Sequence, residues 1–234
     1  MSTVFAPASC SPRAKRVVAR HDFVARVRRP VGPLVVTLLL GCGGGPARVQ
    51  PPRIDPEGAA AAAMEAYDAD RDGFIAGGEL DAAPSLKASL ETLDVDQDGK
   101  VVAQEIADRI VAWQRGRTGV TVVRCYVTLD GQPLEDAEVV FEPEPFLGEE
   151  LRAAVGTTAL DGSASPIIPK ENRPSADMPP GIQLGFFKIR VSKKVNGVET
   201  LPAKYNAETT LGQQIAGDDP AILRHRIDVK LSKR

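Results

Sequence analysis

Between residues 56 and 115 the apolar positions recur at helical spacing. Met64 and Tyr67 stand three apart, Leu86, Leu90 and Leu93 repeat the step, and Ile106, Ile110 and Trp113 repeat it again. Steps of three and four place side chains on one helix face, so this stretch predicts helices with a buried stripe. Asp55, Pro56 and Glu57 suit a helix start: a capping carboxylate, a proline in the first turn and an acid at the positive end. Pro84 divides the short segment between Glu79 and Asp94 into one exiting and one entering helix. The last helix stops before Gly116 and Gly119. From Thr121 the period changes to two. Val123, Cys125, Val127 and Leu129 alternate with more polar neighbours, then Ala137, Val139 and Phe141, then Phe187, Ile189 and Val191. A final strand is expected to turn Leu223, His225, Ile227, Val229 and Leu231 inward. Asp130-Gly131 and Asn196-Gly197 are hairpin-turn signals. Short alternating strands separated by turns predict an antiparallel β-sandwich. The expected fold class is therefore α+β in two domains: a small all-α segment at 56–116 and a sandwich at 120–234.

Within the helical part lie two acidic twelve-residue segments. The first runs from Asp68 through Asp70, Asp72, Gly73, Phe74 and Ile75 to Glu79. The second runs from Asp94 through Asp96, Asp98, Gly99, Lys100 and Val101 to Glu105. Both resemble the calcium loop of the EF-hand family at every demanding position. Calcium is a hard cation that takes six to eight oxygens. The resemblance implies side-chain ligands at positions 1, 3 and 5, namely Asp68, Asp70 and Asp72 in one loop and Asp94, Asp96 and Asp98 in the other. It implies backbone carbonyl ligands at position 7, from Phe74 and Lys100, and a two-oxygen carboxylate at position 12, from Glu79 and Glu105. Glycine at position 6 permits the sharp turn, and Ile75 and Val101 suit the short strand pair that couples two hands. Two Ca²⁺ ions per chain are expected. Gly77 and Gly78 are expected to weaken the helix after loop one by about 1 kcal/mol each, making it the weaker site.

A second resemblance covers most of residues 120–232. Val127 to Pro143, with Asp130-Gly131-Gln-Pro133 inside it, is similar to the opening of carboxypeptidase-regulatory-like, transthyretin-like domains. Gly156 to Gly162 is similar to their second turn, and Pro180-Gly181 with Gly185 to Val191 to a later strand. Leu201 to Asn206 fits a variant common in exported bacterial proteins. The resemblance implies an Ig-like sandwich that serves as a structural or binding module without an active site.

The overall net charge of −2 hides an asymmetry. Residues 1–41 hold seven Lys or Arg against one Asp, whereas residues 54–115 hold 14 acids against 5 bases. The acidity belongs to the loops, and no basic surface outside the amino terminus points to nucleic acid. Arg26, Arg28 and Arg29 precede an apolar run from Val31 to Leu40, too short to span a bilayer. The run ends in Leu39-Leu40-Gly41-Cys42, which resembles a bacterial lipobox. Residues 1–41 are thus expected to be a signal peptide, and Cys42 the lipidated first residue of an exported, membrane-anchored lipoprotein of the cell envelope. The sequence before Arg26 is longer than such a signal needs, so the true start is expected downstream of Met1. Cys10 would be removed with the signal and Cys125 left alone as a buried thiol. The Gly- and Pro-rich residues 42–55 read as a flexible tether.

Nothing in the chain has the pattern of a catalytic centre. His225 is the one histidine after the signal and reads as a core or rim residue. Glu142, Glu144, Glu149 and Glu150 read as a solvated acidic loop, and Pro166 to Pro180 as a long loop. The expected function is non-enzymatic calcium binding in a structural or binding module. The alternatives are a calcium-responsive partner-binding protein, dockerin-like or adhesive, and, on the sandwich fold alone, a carbohydrate-binding or enzyme-accessory protein.

Overall fold

The computed structural model describes residues 49–116 and 118–233. The signal, most of the tether and Cys42 lie outside the described residues. No helix among them is long and apolar enough to cross a membrane.

Helix α1 (Pro56–Tyr67) packs against α5 (Ala103–Arg115). The buried face of α1 is Ala59, Ala60 and Ala63, with Met64 and Tyr67 only half-buried. The contact stripe is therefore small, which lets the two backbones approach. On α5, Ile106, Ile110 and Trp113 are buried as their spacing predicts. Asp55 precedes α1 without a side-chain capping bond. Between the loops run three single-turn helices, α2 (Gly78–Ala82), α3 (Pro84–Ala88) and α4 (Leu90–Leu93). The second loop is thus entered from a one-turn helix, broken from α3 at Ser89, whose hydroxyl bonds the Ser85 carbonyl instead.

The β-rich part begins with β1 (Val120–Thr121), β2 (Arg124–Leu129), β3 (Gln132–Pro133), β4 (Glu138–Pro143), β5 (Ala154–Thr157) and β6 (Ser163–Ala164). It continues with β7 (Ile182–Gln183), β8 (Gly185–Ser192), β9 (Lys194–Val195), β10 (Val198–Glu199), β11 (Leu211–Ile215), α6 (Pro220–Leu223) and β12 (Arg226–Leu231). One antiparallel sheet has the order β11-β8-β4-β5. The other has the order β12-β2-β3, with β6 also on β2. Two small antiparallel pairs, β1-β7 and β9-β10, complete the set. The Asp130-Gly131 and Asn196-Gly197 turns have positive φ at both residues, as tight hairpins require.

Three expectations need correction. The sheets are not wholly antiparallel, because β12 runs parallel to β2 in register from Arg226–Arg124 to Leu231–Leu129. The last strand starts at Arg226, because Asp219 caps α6 by accepting from the N–H of Ala221 at 2.8 Å and draws residues 220–223 into a helix. Leu223 and His225 are consequently exposed, and His225 takes a left-handed φ of 50°. Finally, the tether packs down from Val49: Pro52 and Ile54 are buried, and the Gly119 N–H bonds the Val49 carbonyl at 2.9 Å.

Helices and sheets share one hydrophobic core. Successive strand residues face opposite sides of a sheet, yet Phe186 and Phe187 on β8 are both fully buried. Phe187 meets Phe141 of β4, while Phe186 meets Trp113 of α5 with ring centroids 4.7 Å apart. The β11-β8-β4-β5 sheet thus carries apolar cover on two faces, one of them helical. The expected boundary near Gly119 is not a break in the packing.

Candidate metal centre

Each acidic loop folds around its first aspartate. In loop one, Asp68 Oδ1 accepts from the N–H of Asp72 at 3.2 Å and Oδ2 from that of Gly73 at 3.0 Å. In loop two, Asp94 accepts in the same way from Asp98 at 3.1 Å and Gly99 at 2.8 Å. The twelfth residue closes each loop onto its start. Glu79 accepts from Ala69 at 2.7 Å and Ala76 at 3.1 Å; Glu105 accepts from Val95 at 2.8 Å and Val102 at 3.0 Å. Arg71 and Gln97, at position 4 of each loop, are left-handed with φ of 62° and 60°. Gly73 and Gly99, at position 6, have φ of 90° and 80°, where a side chain would be strained. The loops therefore repeat one backbone conformation.

They are joined back to back by a β-bridge between Ile75 and Val101, with N–H to carbonyl distances of 2.9 and 3.1 Å. Both side chains are fully buried. Outside this bridge the carboxylates converge. One oxygen each from Asp68, Asp70 and Glu79 lies within 4.8 Å of the others, and the same holds for Asp94, Asp96 and Glu105. Asp72 and Asp98 stand outside these mutual sets; their Oδ1 atoms accept from Phe74 and Lys100, both at 2.9 Å. Three carboxylates this close repel one another unless a cation or donors intervene. Backbone N–H groups supply part of that: Ala76 foremost, with Ala69 and Asp70, holds the Glu79 carboxyl below its usual range. The donor set is all oxygen, which fits a hard cation such as calcium and not a soft one.

Of the two glycines near the end of loop one, Gly78 opens the helix and Gly77 lies just before it. Gly77 has φ 51° and ψ −119° and delays the following helix to Gly78, whereas in loop two the helix starts at Ala103 after Val102. Glycine at 77 serves a turn that other residues disfavour, so the expected helix-propensity cost falls on Gly78 alone.

Sequence reasoning missed the residue that ties the loops to the sheets. Glu144 falls in the stretch expected to be a solvated acidic loop; Glu142, Glu149 and Glu150 are exposed, but Glu144 is fully buried. It accepts from the Tyr67 hydroxyl and from Ser85 Oγ, each at 2.6 Å, and pairs with Lys188 at 3.5 Å. Burial, then the Glu144 charge, raises the Tyr67 phenol well above its ordinary pKa. On the other side, Arg109 of α5 clasps Asp218 through two bonds of 2.7 Å and holds its carboxyl below the usual range. Cys125 is fully buried, and burial pushes its thiol up to about 11, which removes it as a nucleophile at neutral pH.

Comparison of the chain with family models, curated proteins and solved structures finds no match.

Proposed function

We propose that this chain is a calcium-binding protein that holds two ions in a paired, EF-hand-like arrangement and carries out no catalysis. The observation behind this reading is the convergence of three carboxylates in each of two loops of like conformation. Asp68, Asp70 and Glu79 would form one ligand set and Asp94, Asp96 and Glu105 the other. Asp72, Asp98 and the carbonyls of Phe74 and Lys100 would complete the shells. Titration calorimetry on metal-free protein should give two calcium ions per chain. Glu105→Gln should leave one ion, because position 12 contributes two oxygens. One ion or none in the unaltered protein would refute the ligand assignment.

The role we propose for the metal is stiffening rather than switching. A sensor pair opens on calcium to expose an apolar groove. Here the helical faces are already covered: Trp113 by Phe186, and α3 by β11. That cover supports a structural protein over a calcium-responsive partner-binding one. The β part, transthyretin-like by its turns, would be the rigid partner of the metal loops.

We further propose export and lipid anchoring through Cys42, on the apolar run that ends in Leu-Leu-Gly-Cys. The protein should then partition into the detergent phase, and Cys42→Ser should release it to the aqueous phase. An unaltered protein already found in the aqueous phase would rule the anchor out.

A further inference from the structure

Glu144 lies just after β4 and has no exposure to water. A buried carboxylate is retained where bonds and charge replace its hydration. Two of its three partners come from the helical layer: Ser85 Oγ on α3 and the Tyr67 hydroxyl at the end of α1. Lys188 on β8 supplies the countercharge at 3.5 Å and also sits 5.6 Å from the centre of the Tyr67 ring. The Tyr67 ring meets Phe146 edge-on at 6.2 Å. Tyr67 is thus held at its hydroxyl and along its ring.

The next residue is Asp68, the first ligand position of loop one. Its N–H closes α1 on the Met64 carbonyl at 2.9 Å, and its carboxylate organises the turn at Asp72 and Gly73. The backbone between the gripped tyrosine and the first ligand has no length in which to absorb a shift. Loop two lacks this device. The residue before Asp94 is Leu93, an apolar side chain buried in the core. The two loops, alike in their own bonding, therefore differ in what fixes their first ligand.

We propose that Glu144 is a positioning residue for loop one: by gripping the Tyr67 hydroxyl it fixes where Asp68 begins the loop, and so raises the calcium affinity of loop one more than that of loop two. This rests on the reading of the loops as calcium sites. A pre-set ligand position spares the ordering that binding would otherwise require. The coupling is reciprocal, so calcium in loop one tightens the grip on Glu144.

The test uses the full chain in two parent forms. Glu105→Gln leaves loop one as the site to be titrated, and Glu79→Gln leaves loop two. Tyr67→Phe removes only the hydroxyl and keeps the ring on Phe146; Glu144→Gln keeps the shape and removes the charge. Calorimetric titration with calcium should show each change weakening the loop-one parent about five-fold or more, the lower range of measured site-to-site couplings. The loop-two parent should change less than about two-fold. Equal weakening of both parents would mean general destabilisation and would overturn the proposal, as would no weakening of the loop-one parent. If Glu144→Gln fails to fold, Tyr67→Phe decides the matter alone. A loop-one parent that binds no calcium would refute the calcium site itself, an outcome distinct from a bound ion indifferent to Tyr67.

Discussion

A Cβ on Gly212 would lie 2.2 Å from the carbonyl carbon and oxygen of Pro84 and 2.3 Å from the Ser85 nitrogen. This is where α3 crosses β11, with backbone nearly on backbone. The neighbour is main chain and cannot swing aside, so Gly212→Ala should push α3 off the sheet. Overpacking of this kind costs about 1–3 kcal/mol, to be read from the denaturant midpoint. Gly78→Ala is the control: its added methyl meets nothing within 4 Å, and its stability should match the parent's or exceed it by up to about 1 kcal/mol. A Gly212→Ala protein as stable as the parent would contradict the close approach. Residues of this kind are not legible in a sequence, because a glycine's neighbour depends on which distant segment covers it. Glu144 escaped for the same reason, since its environment is made by Tyr67 and Ser85 far earlier in the chain. Asp68, Asp70, Glu79 and their counterparts were legible because each candidate ligand is fixed by type and local spacing.

Elements were readable where one periodicity acted alone. Helix α5 has a clear apolar stripe and a wet face, and Ile106, Ile110 and Trp113 are buried as spaced. In α1 the buried stripe is alanine, too weak a signal to compete with Met64 and Tyr67. Strand β8 reads as alternating from Phe187 onwards, but Phe186 breaks the alternation because a helix covers the other face. That adjacent pair of phenylalanines was the trace, in sequence, of the helical layer over the sheet. The last strand was overextended because Leu223 and His225 continue its alternation by coincidence. Asp219 and Pro220 were the competing local signal: a cap and a first-turn proline that start α6. The parallel pairing of β12 with β2 joins Arg226 to Arg124, 102 positions earlier (226 − 124), and no local pattern encodes it.

At the scale of the whole molecule the question is whether helices and sheets unfold together. In sequence each part has its own apolar pattern, as two independent domains at 56–116 and 120–234 would. The packing argues otherwise. Trp113 stacks edge-on against Phe186, Tyr67 and Ser85 bond the buried Glu144, and Arg109 grips Asp218. Pulling the helices away would expose Phe186 and break the hydroxyl bonds to Glu144 and the Arg109 clasp on Asp218, a loss of several kcal/mol. Such a seam makes separate melting unfavourable, and scanning calorimetry should give one transition for residues 49–233. Calcium that binds only the folded form should move that transition as a whole. At a hundred times the dissociation constant, two sites add about 5 kcal/mol, which for a body of this size is roughly 10–20 °C. Chelator should reverse the shift, and Asp68→Ala with Asp94→Ala should abolish the response to calcium. Two transitions, with only the lower one following calcium, would show that the seam does not couple the parts. One transition indifferent to calcium would remove the stiffening role while leaving the shared core intact.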